Sequence, residues 1–220
     1  MGNIAIDGPA GAGKSTIAKL VAKELGFVYV DTGAMYRAMA LFMINNNVAP
    51  DDSDKISATC QDADITIRYE NGEQVVFLND ENVNGKIRNE EVGKMASSSS
   101  ANGDVRKKLV ELQQKLAKST DVVMDGRDIG TVVLPDATLK VYLTASSRVR
   151  AERRFKELTA KGVECNIDVI EKDIIDRDYR DMHRENSPLM QAEDAVLVDS
   201  SDMTIDEVAR RIVDLYKEKN

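Results

Sequence analysis

One short run constrains this chain more than any other. Ile4-Ala5-Ile6-Asp7 leads into Gly8-Pro9-Ala10-Gly11-Ala12-Gly13-Lys14-Ser15, and residues with helical spacing follow at once. The run fits G-x-x-x-x-G-K-[ST] at every position. Glycines accept positive φ and let backbone N–H groups crowd around an anion. The following helix turns the positive end of its dipole to the same place. A chance glycine-rich turn would lack both the apolar strand before it and the periodic helix after it. The expected triphosphate contacts are therefore Gly8, Pro9, Ala10, Gly11, Ala12, Gly13, Lys14, Ser15 and Thr16. Lys14 reaches the β/γ-phosphates and the Ser15 hydroxyl ligates Mg²⁺.

A phosphate loop of this kind sits in an α/β sheet, and the rest of the chain agrees. Apolar runs that read as buried strands recur at 3–7, 27–30, 121–124, 139–143 and 195–198. Helical spacing separates them, which predicts a five-stranded parallel sheet covered by helices. Ile17, Leu20, Val21 and Leu25 fall on one helical face, and Gly26 is a natural stop. Val105, Leu109, Leu112 and Leu116 mark a second amphipathic helix. Thr204-x-x-Glu207 predicts a capping box, with Ile205, Val208, Ile212 and Leu215 turned inward. Between the second and third core strands, Ile65-Thr66-Ile67-Arg68-Tyr69 and Gln74-Val75-Val76-Phe77-Leu78 flank Asn71-Gly72. Alternating residues around an Asn-Gly turn predict a β-hairpin, hence a small antiparallel insertion. The 220 residues suit one domain. Its core is expected over about 1–60 and 85–220, with the insertion over about 62–84.

The loop predicts a nucleoside triphosphate but not its use, and here charge matters. Thirty basic against thirty-eight acidic residues leave a net charge of −8, which argues against a nucleic-acid partner. Yet Arg148, Arg150, Arg153, Arg154, Arg177, Arg180 and Arg184 crowd one segment, and guanidinium forks bind phosphate bidentately. A small phosphorylated ligand is expected. No stretch approaches the ~20 apolar residues of a membrane span. The opening residues show no basic region followed by an apolar run, so no signal peptide is expected. Cys60 and Cys165 stand apart, which fits a reducing cytoplasm, and His183 is the single histidine.

Acidic residues end several apolar runs. Asp125 and Asp199 are both candidates for the Mg²⁺ shell, and Asp125 is preferred because Arg127 and Asp128 follow directly. Asp31-Thr32-Gly33-Ala34-Met35-Tyr36-Arg37 follows the second strand, where ligands of such sheets sit. Thr32 and Arg37 can hold a phosphate there, or be a helix cap and a solvated charge. Asp125-Gly126-Arg127-Asp128-Ile129-Gly130 puts a cation and a carboxylate on a tight turn, as a ligand clamp or as a simple salt bridge. The first reading is a kinase acting on a small acceptor. A nucleotide-driven switch is the second, although Asn-Lys-x-Asp is absent and two acceptor constellations would go unused.

The Gly8–Thr16 loop, the Asp31–Arg37 run and the Asp125–Gly130 run resemble bacterial cytidylate kinases in order and spacing. Ala96-Ser97, Arg106 and Arg177-Asp178-Tyr179-Arg180-Asp181, followed by Arg184, extend the resemblance over nearly the whole chain, including the hairpin. It implies that Thr32, Tyr36, Arg37 and Arg127 meet the CMP phosphate or its surroundings. It implies that Ser97, Arg106 and Asp128 read the base and that Asp181 with Arg177 holds the sugar hydroxyls. Arg184 would approach the transferred phosphoryl group. Residues of about 147–165, with Arg150, Arg153 and Arg154, would form a lid over ATP. Lys14, Arg127, Arg150, Arg154 and Arg184 are then the candidate catalytic cations, and Ser15 and Asp125 the metal ligands. The expected enzyme is a cytoplasmic monomer that uses Mg·ATP and CMP or dCMP. A kinase for UMP, AMP or shikimate is the alternative.

Overall fold

The computed structural model describes residues 2–219. In chain order its elements are β1 (Asn3–Asp7), α1 (Lys14–Leu25), β2 (Val28–Asp31), α2 (Thr32–Asn45), α3 (Ser53–Cys60), β3 (Ile65–Glu70), β4 (Glu73–Leu78), β5 (Glu81–Asn82), α4 (Glu90–Ser99), α5 (Gly103–Ala117), β6 (Val122–Gly126), β7 (Leu139–Thr144), α6 (Ser147–Ala160), α7 (Ile167–His183), β8 (Val196–Asp199) and α8 (Ile205–Glu218). A π turn, Ile129–Val133, follows β6. Two sheets result: a five-stranded one in the order β2-β6-β1-β7-β8, and a three-stranded one in the order β3-β4-β5. The chain divides into two compact units, one being Tyr29–Thr120 and the other the chain on either side of it.

In the first unit β1 pairs in parallel with β6 and with β7, and β7 with β8. Ile4, Ala5, Ile6, Val122, Val123, Met124, Leu139 and Leu143 are fully buried, as strands covered on both faces require. Registers Ile6↔Asp125 and Asp7↔Gly126 bring the ends of β1 and β6 level. The phosphate loop and the Asp125–Gly130 turn thereby emerge side by side. Gly26 closes α1 in the left-handed region at φ 71, as a C-terminal glycine should. The capping box at Thr204 and Glu207 opens α8.

Two inward assignments differ. Leu20 is 36% exposed and Ile205 is 54% exposed. Each lies at the margin of its apolar stripe, where spacing does not distinguish edge from centre.

In the second unit, β3 and β4 form the expected hairpin with Ile65↔Leu78 in register, turning at Asn71 and Gly72, both at positive φ. The short β5 extends it into a third strand. Its buried face, Ile65, Val76 and Leu78, adjoins α2, whose Met35, Met39 and Met43 repeat every fourth residue and are fully buried. On α5 the buried row is Val105, Leu109, Gln113 and Ala117, while Leu112 and Leu116 are only half-buried. The apolar spacing thus found the helix and the first half of its buried row, Val105 and Leu109, while the second half turns to Gln113 and Ala117.

Candidate active site

The first unit carries the phosphate loop. Gly8 has φ 148, and a Cβ there would lie 1.9 Å from the Leu143 carbonyl oxygen, so no other residue fits without moving β7. Gly13, at φ 88, delivers the chain into α1. Lys14 is 6% exposed and its ammonium donates to the Pro9 carbonyl at 2.7 Å. Burial, and then the Arg127 guanidinium, hold its pKa well below the ordinary lysine value, against the pull of Asp125 and Asp7. The Ser15 hydroxyl donates to Asp125 Oδ2 at 2.9 Å. A hydroxyl and a carboxylate side by side at a phosphate loop are the hard oxygen donors that Mg²⁺ takes, with substrate phosphates and water completing its shell. Thr16 is exposed on the first turn of α1. Asp199, the other candidate carboxylate, accepts from the Ser201 amide at 2.9 Å and from its hydroxyl, and so closes a turn.

Beside the loop lies a charge network. Arg127 Nε donates to Asp181 Oδ2 at 2.8 Å. Burial would raise the Asp181 pKa, but Arg127, Arg177 and Arg184 outweigh it and hold the carboxyl below its usual value. Arg184 Nε donates to the Ser187 carbonyl at 2.7 Å, and its Nη2 stands 3.7 Å from Asp128 Oδ1. The side chains of Arg184 and Asp128 are 8% and 5% exposed. Three arginines thus converge on two carboxylates, Asp128 and Asp181, both nearly buried. The excess of positive charge suits a phosphate.

The arginines of α6 have different surroundings. Arg154 is half-exposed and pairs with Glu157 at 2.8 Å. Arg153 donates to the Ser200 carbonyl at 2.6 Å. Arg150 is buried: Nε donates to the Ala145 carbonyl at 2.9 Å, Nη1 to the Ala10 carbonyl at 2.7 Å, and Nη2 lies 2.7 Å from Asp178 Oδ2. Asp178 Oδ1 in turn accepts from the Ala10 amide at 3.3 Å. The Arg150–Asp178 pair therefore grips both faces of one loop residue. The resemblance implies a lid arginine at 150, and in the structure that arginine is bonded to the phosphate loop at Ala10.

The second unit carries the other candidates. Thr32 is the buried first residue of α2, while the cap is Asp31, whose Oδ1 accepts from the Ala34 amide at 2.9 Å. Asp31 Oδ2 also receives Arg88 Nη2 at 2.7 Å. Gln74 on β4 brackets the Asp31 backbone, accepting from its amide at 2.8 Å and donating to its carbonyl at 3.1 Å. The hairpin thus fixes the start of α2. Arg37 Nη1 donates to the Ile87 carbonyl at 3.0 Å. Its guanidinium passes so close to Gly93 that a Cβ there would lie 3.3 Å from both terminal nitrogens. Arg106 is buried, donates to the Ser100 carbonyl at 3.1 Å, and has its guanidinium 5.5 Å from the centre of the Tyr36 ring. Ser97 is half-buried on α4.

Asp7, Gln74 and Arg88 were given no role from sequence, and Asp178 appeared there only within the Arg177–Asp181 run. Asp7 alone had a signal, since it ends an apolar run as Asp125 does. The others act through pairings that no local spacing encodes.

A profile of the cytidylate kinase family matches residues 4–218. The chain is 51% identical over 214 residues to a cytidylate kinase of Caldicellulosiruptor saccharolyticus, covering 97% of this chain and 95% of that one. It is 49% identical over 217 residues to a cytidylate kinase of Ligilactobacillus salivarius, covering 99% and 97%. In fold it is similar to a shikimate kinase from Bacteroides thetaiotaomicron, with a TM-score of 0.51, 13% identity and 98% of each chain covered. The phosphate loop, the arginine-rich network beside it and agreement over almost the entire length converge on one conclusion: the chain belongs to the cytidylate kinase family.

Proposed function

We propose that the protein transfers the γ-phosphoryl group of Mg·ATP to CMP or dCMP, giving ADP and CDP or dCDP. The observation that carries this is the grouping of Lys14, Arg127, Arg177 and Arg184 about one phosphate loop, with Asp128 and Asp181 among them. An oxygen of the acceptor phosphate forms the new bond to the γ-phosphorus as the bond to the ADP oxygen breaks. The protein supplies position and positive charge while charge spreads over the equatorial oxygens. Backbone N–H groups of Gly8–Ser15 and the Lys14 ammonium hold the donor phosphates. The Lys14 ammonium swings from the Pro9 carbonyl to the phosphates, and its ionised form is favoured once they arrive. Ser15 and Asp125 would hold Mg²⁺, which would neutralise charge on the donor phosphates.

On the acceptor side, Thr32, Tyr36, Arg37 and Arg127 serve the CMP phosphate and its surroundings. Asp181 with Arg177 holds the sugar hydroxyls. Arg184 supplies charge to the moving group. Asp128 accepts from the exocyclic amine of cytosine while Arg106 and Ser97 donate to its ring acceptors. Arg153 and Arg154, within residues of about 147–165, belong to the cover over ATP, which keeps out water that would compete as acceptor. No helix among the described residues is long and apolar enough to cross a membrane. Both cysteines are free thiols, which supports a cytoplasmic enzyme. Each chain carries all the residues this reading uses, which supports a monomer.

The test is product analysis after incubation with Mg·ATP and CMP. CDP and ADP should appear in equal amounts, and Lys14→Ala should cut the rate about 10²–10³-fold, the scale of losing one transition-state donor. ADP without CDP, or an unchanged rate in Lys14→Ala, contradicts the reading.

A further inference from the structure

β2 ends at Asp31 and α2 begins at Thr32, with no residue between them. One residue must therefore close a strand and open a helix. Asp31 does both, and all four of its polar atoms are engaged. Its amide donates to Gln74 Oε1 at 2.8 Å, and its carbonyl accepts from Gln74 Nε2 at 3.1 Å. Its Oδ1 accepts from the Ala34 amide at 2.9 Å, and its Oδ2 accepts from Arg88 Nη2 at 2.7 Å. Only the Ala34 bond is local. The partners of the other three lie 43 and 57 residues away in sequence. All of these residues belong to the second unit.

We infer that Gln74 is a positioning residue for the acceptor phosphate: from the hairpin it fixes the Asp31 backbone, and through it the placement of Thr32 and Arg37 in the first turns of α2. The inference rests on the reading that Thr32 and Arg37 serve that phosphate. A side-chain amide suits the task. It presents one donor and one acceptor side by side, as a residue of a neighbouring antiparallel strand would. A carboxylate lacks the donor, and an apolar side chain lacks both.

Three further features support the assignment. Gln74 is itself held, since Asn84 Nδ2 donates to its carbonyl at 3.0 Å and Asn84 Oδ1 accepts from the Val76 amide at 2.9 Å. Tyr69, the register partner of Gln74 across the hairpin, donates its hydroxyl to the Tyr29 carbonyl at 3.2 Å. One cross-strand pair thus reaches residues 29 and 31 together. The segment after the hairpin completes the arrangement: Arg88 bonds Asp31, and the carbonyl of its neighbour Ile87 accepts from Arg37 Nη1 at 3.0 Å. Stability alone does not call for these bonds. The Asp31 side chain already caps α2, and Met35, Met39 and Met43 already bury it. What Gln74 adds is the setting of the peptide that leads into Thr32, a residue only 3% exposed.

The test uses the full-length enzyme and steady-state kinetics with CMP, UMP and ATP, for Gln74→Met, Gln74→Glu, Thr32→Ala and Arg37→Met beside the wild type. Gln74→Met keeps the length and loses both bonds. Gln74→Glu keeps the acceptor and sets a second oxygen against the Asp31 carbonyl. Each should lower kcat/KM for CMP about five- to twenty-fold, the scale of one to two neutral hydrogen bonds. UMP carries the same phosphate, so its loss should match and the CMP/UMP ratio should stay within about two-fold. KM for ATP at saturating CMP should also stay within about two-fold, since Gly8–Ser15 keep their own bonds. The double variant Gln74→Met with Thr32→Ala should lose less than the product of the two single losses, because both act on one placement. Gln74→Glu decides the matter if Gln74→Met does not fold. A rise in KM for ATP that matches the loss on CMP, a changed CMP/UMP ratio, independent losses in the double variant, or an unchanged kcat/KM for CMP in the folded variants overturns the inference. If Thr32→Ala and Arg37→Met leave kcat/KM for CMP unchanged, the reading of those residues as phosphate contacts fails and the inference falls with it; if they lower it and the Gln74 variants do not, only the inference about Gln74 fails.

Discussion

At the scale of single residues, the proposal turns on one buried carboxylate, Asp128, as the reader of the base. Cytosine presents an exocyclic amine where uracil presents a carbonyl. On the proposed reading Asp128, buried beside Arg184, would accept from the first and would meet an unpaired acceptor in the second. A buried charged acceptor left unpaired costs about 1–3 kcal/mol or more, or roughly ten- to hundred-fold in kcat/KM. Sites built to bond a polar group reject analogues lacking it more strongly than apolar pockets do. Asp128→Ala should therefore narrow the CMP/UMP ratio mainly by damaging CMP turnover, measured as kcat/KM for each. An equal loss on both would mean that Asp128 only braces the arginines. The cluster itself was legible in sequence, because Asp125–Gly130 puts a cation, a carboxylate and two glycines on a turn after an apolar run. Asp7 and Gln74 were not, since each acts on backbone groups far away in sequence, at 122 and 43 residues. No periodicity records a partner at that distance.

At the scale of elements, α6 begins the segment that the sequence assigns to a lid, and its arginines divide by burial. Arg150 is tied to Ala10, Ala145 and Asp178, whereas Arg154 is half-exposed with Glu157. Removing one partner of a buried pair leaves the other charge uncompensated, at about 3–5 kcal/mol. An exposed pair contributes about 0–1 kcal/mol. Arg150→Met should thus lower stability by several kcal/mol in chemical denaturation and loosen the phosphate loop. Arg154→Met should leave the denaturation midpoint nearly unchanged and raise KM for ATP or lower kcat. Equal midpoints for the two variants would contradict the clamp. Sequence spacing located both arginines on one helix but could not separate them. Arg150 is committed by the loop and by Asp178 on α7, both supplied by distant parts of the chain. The same limit misplaced Leu20 and Ile205, whose exposure depends on which neighbour arrives at the stripe's edge.

For the whole molecule, the five-stranded parallel sheet followed from apolar runs separated by helical spacing, and the β3-β4 hairpin from an Asn-Gly turn, whereas the order β2-β6-β1-β7-β8 and the third strand β5 come from the structure alone. The first two rest on patterns with periods of two and 3.6, which local sequence states directly. Global stability should carry one signature of the site. Asp7 has its folded pKa raised to about 6 from 3.8. Between those values the folded chain holds a proton that the unfolded chain has lost, so stability falls as pH rises through the window. The contribution present below pH ~4 is lost above ~6, and amounts to about 3 kcal/mol. Asp7→Asn cannot titrate there. The stability of wild type minus that of Asp7→Asn, from urea titrations, should fall by about 2 kcal/mol between about pH 4.5 and pH 7.5. A constant difference would contradict the buried, costly carboxylate. The central claim, that the phosphate loop of this chain serves phosphoryl transfer to a cytidine monophosphate, is met most directly by following ADP release from Mg·ATP with CMP, dCMP, UMP, AMP, shikimate or no acceptor. The account predicts rapid release with CMP and dCMP, at least about ten-fold slower release with UMP, and little with the rest. ADP release that proceeds equally well without any acceptor would contradict it.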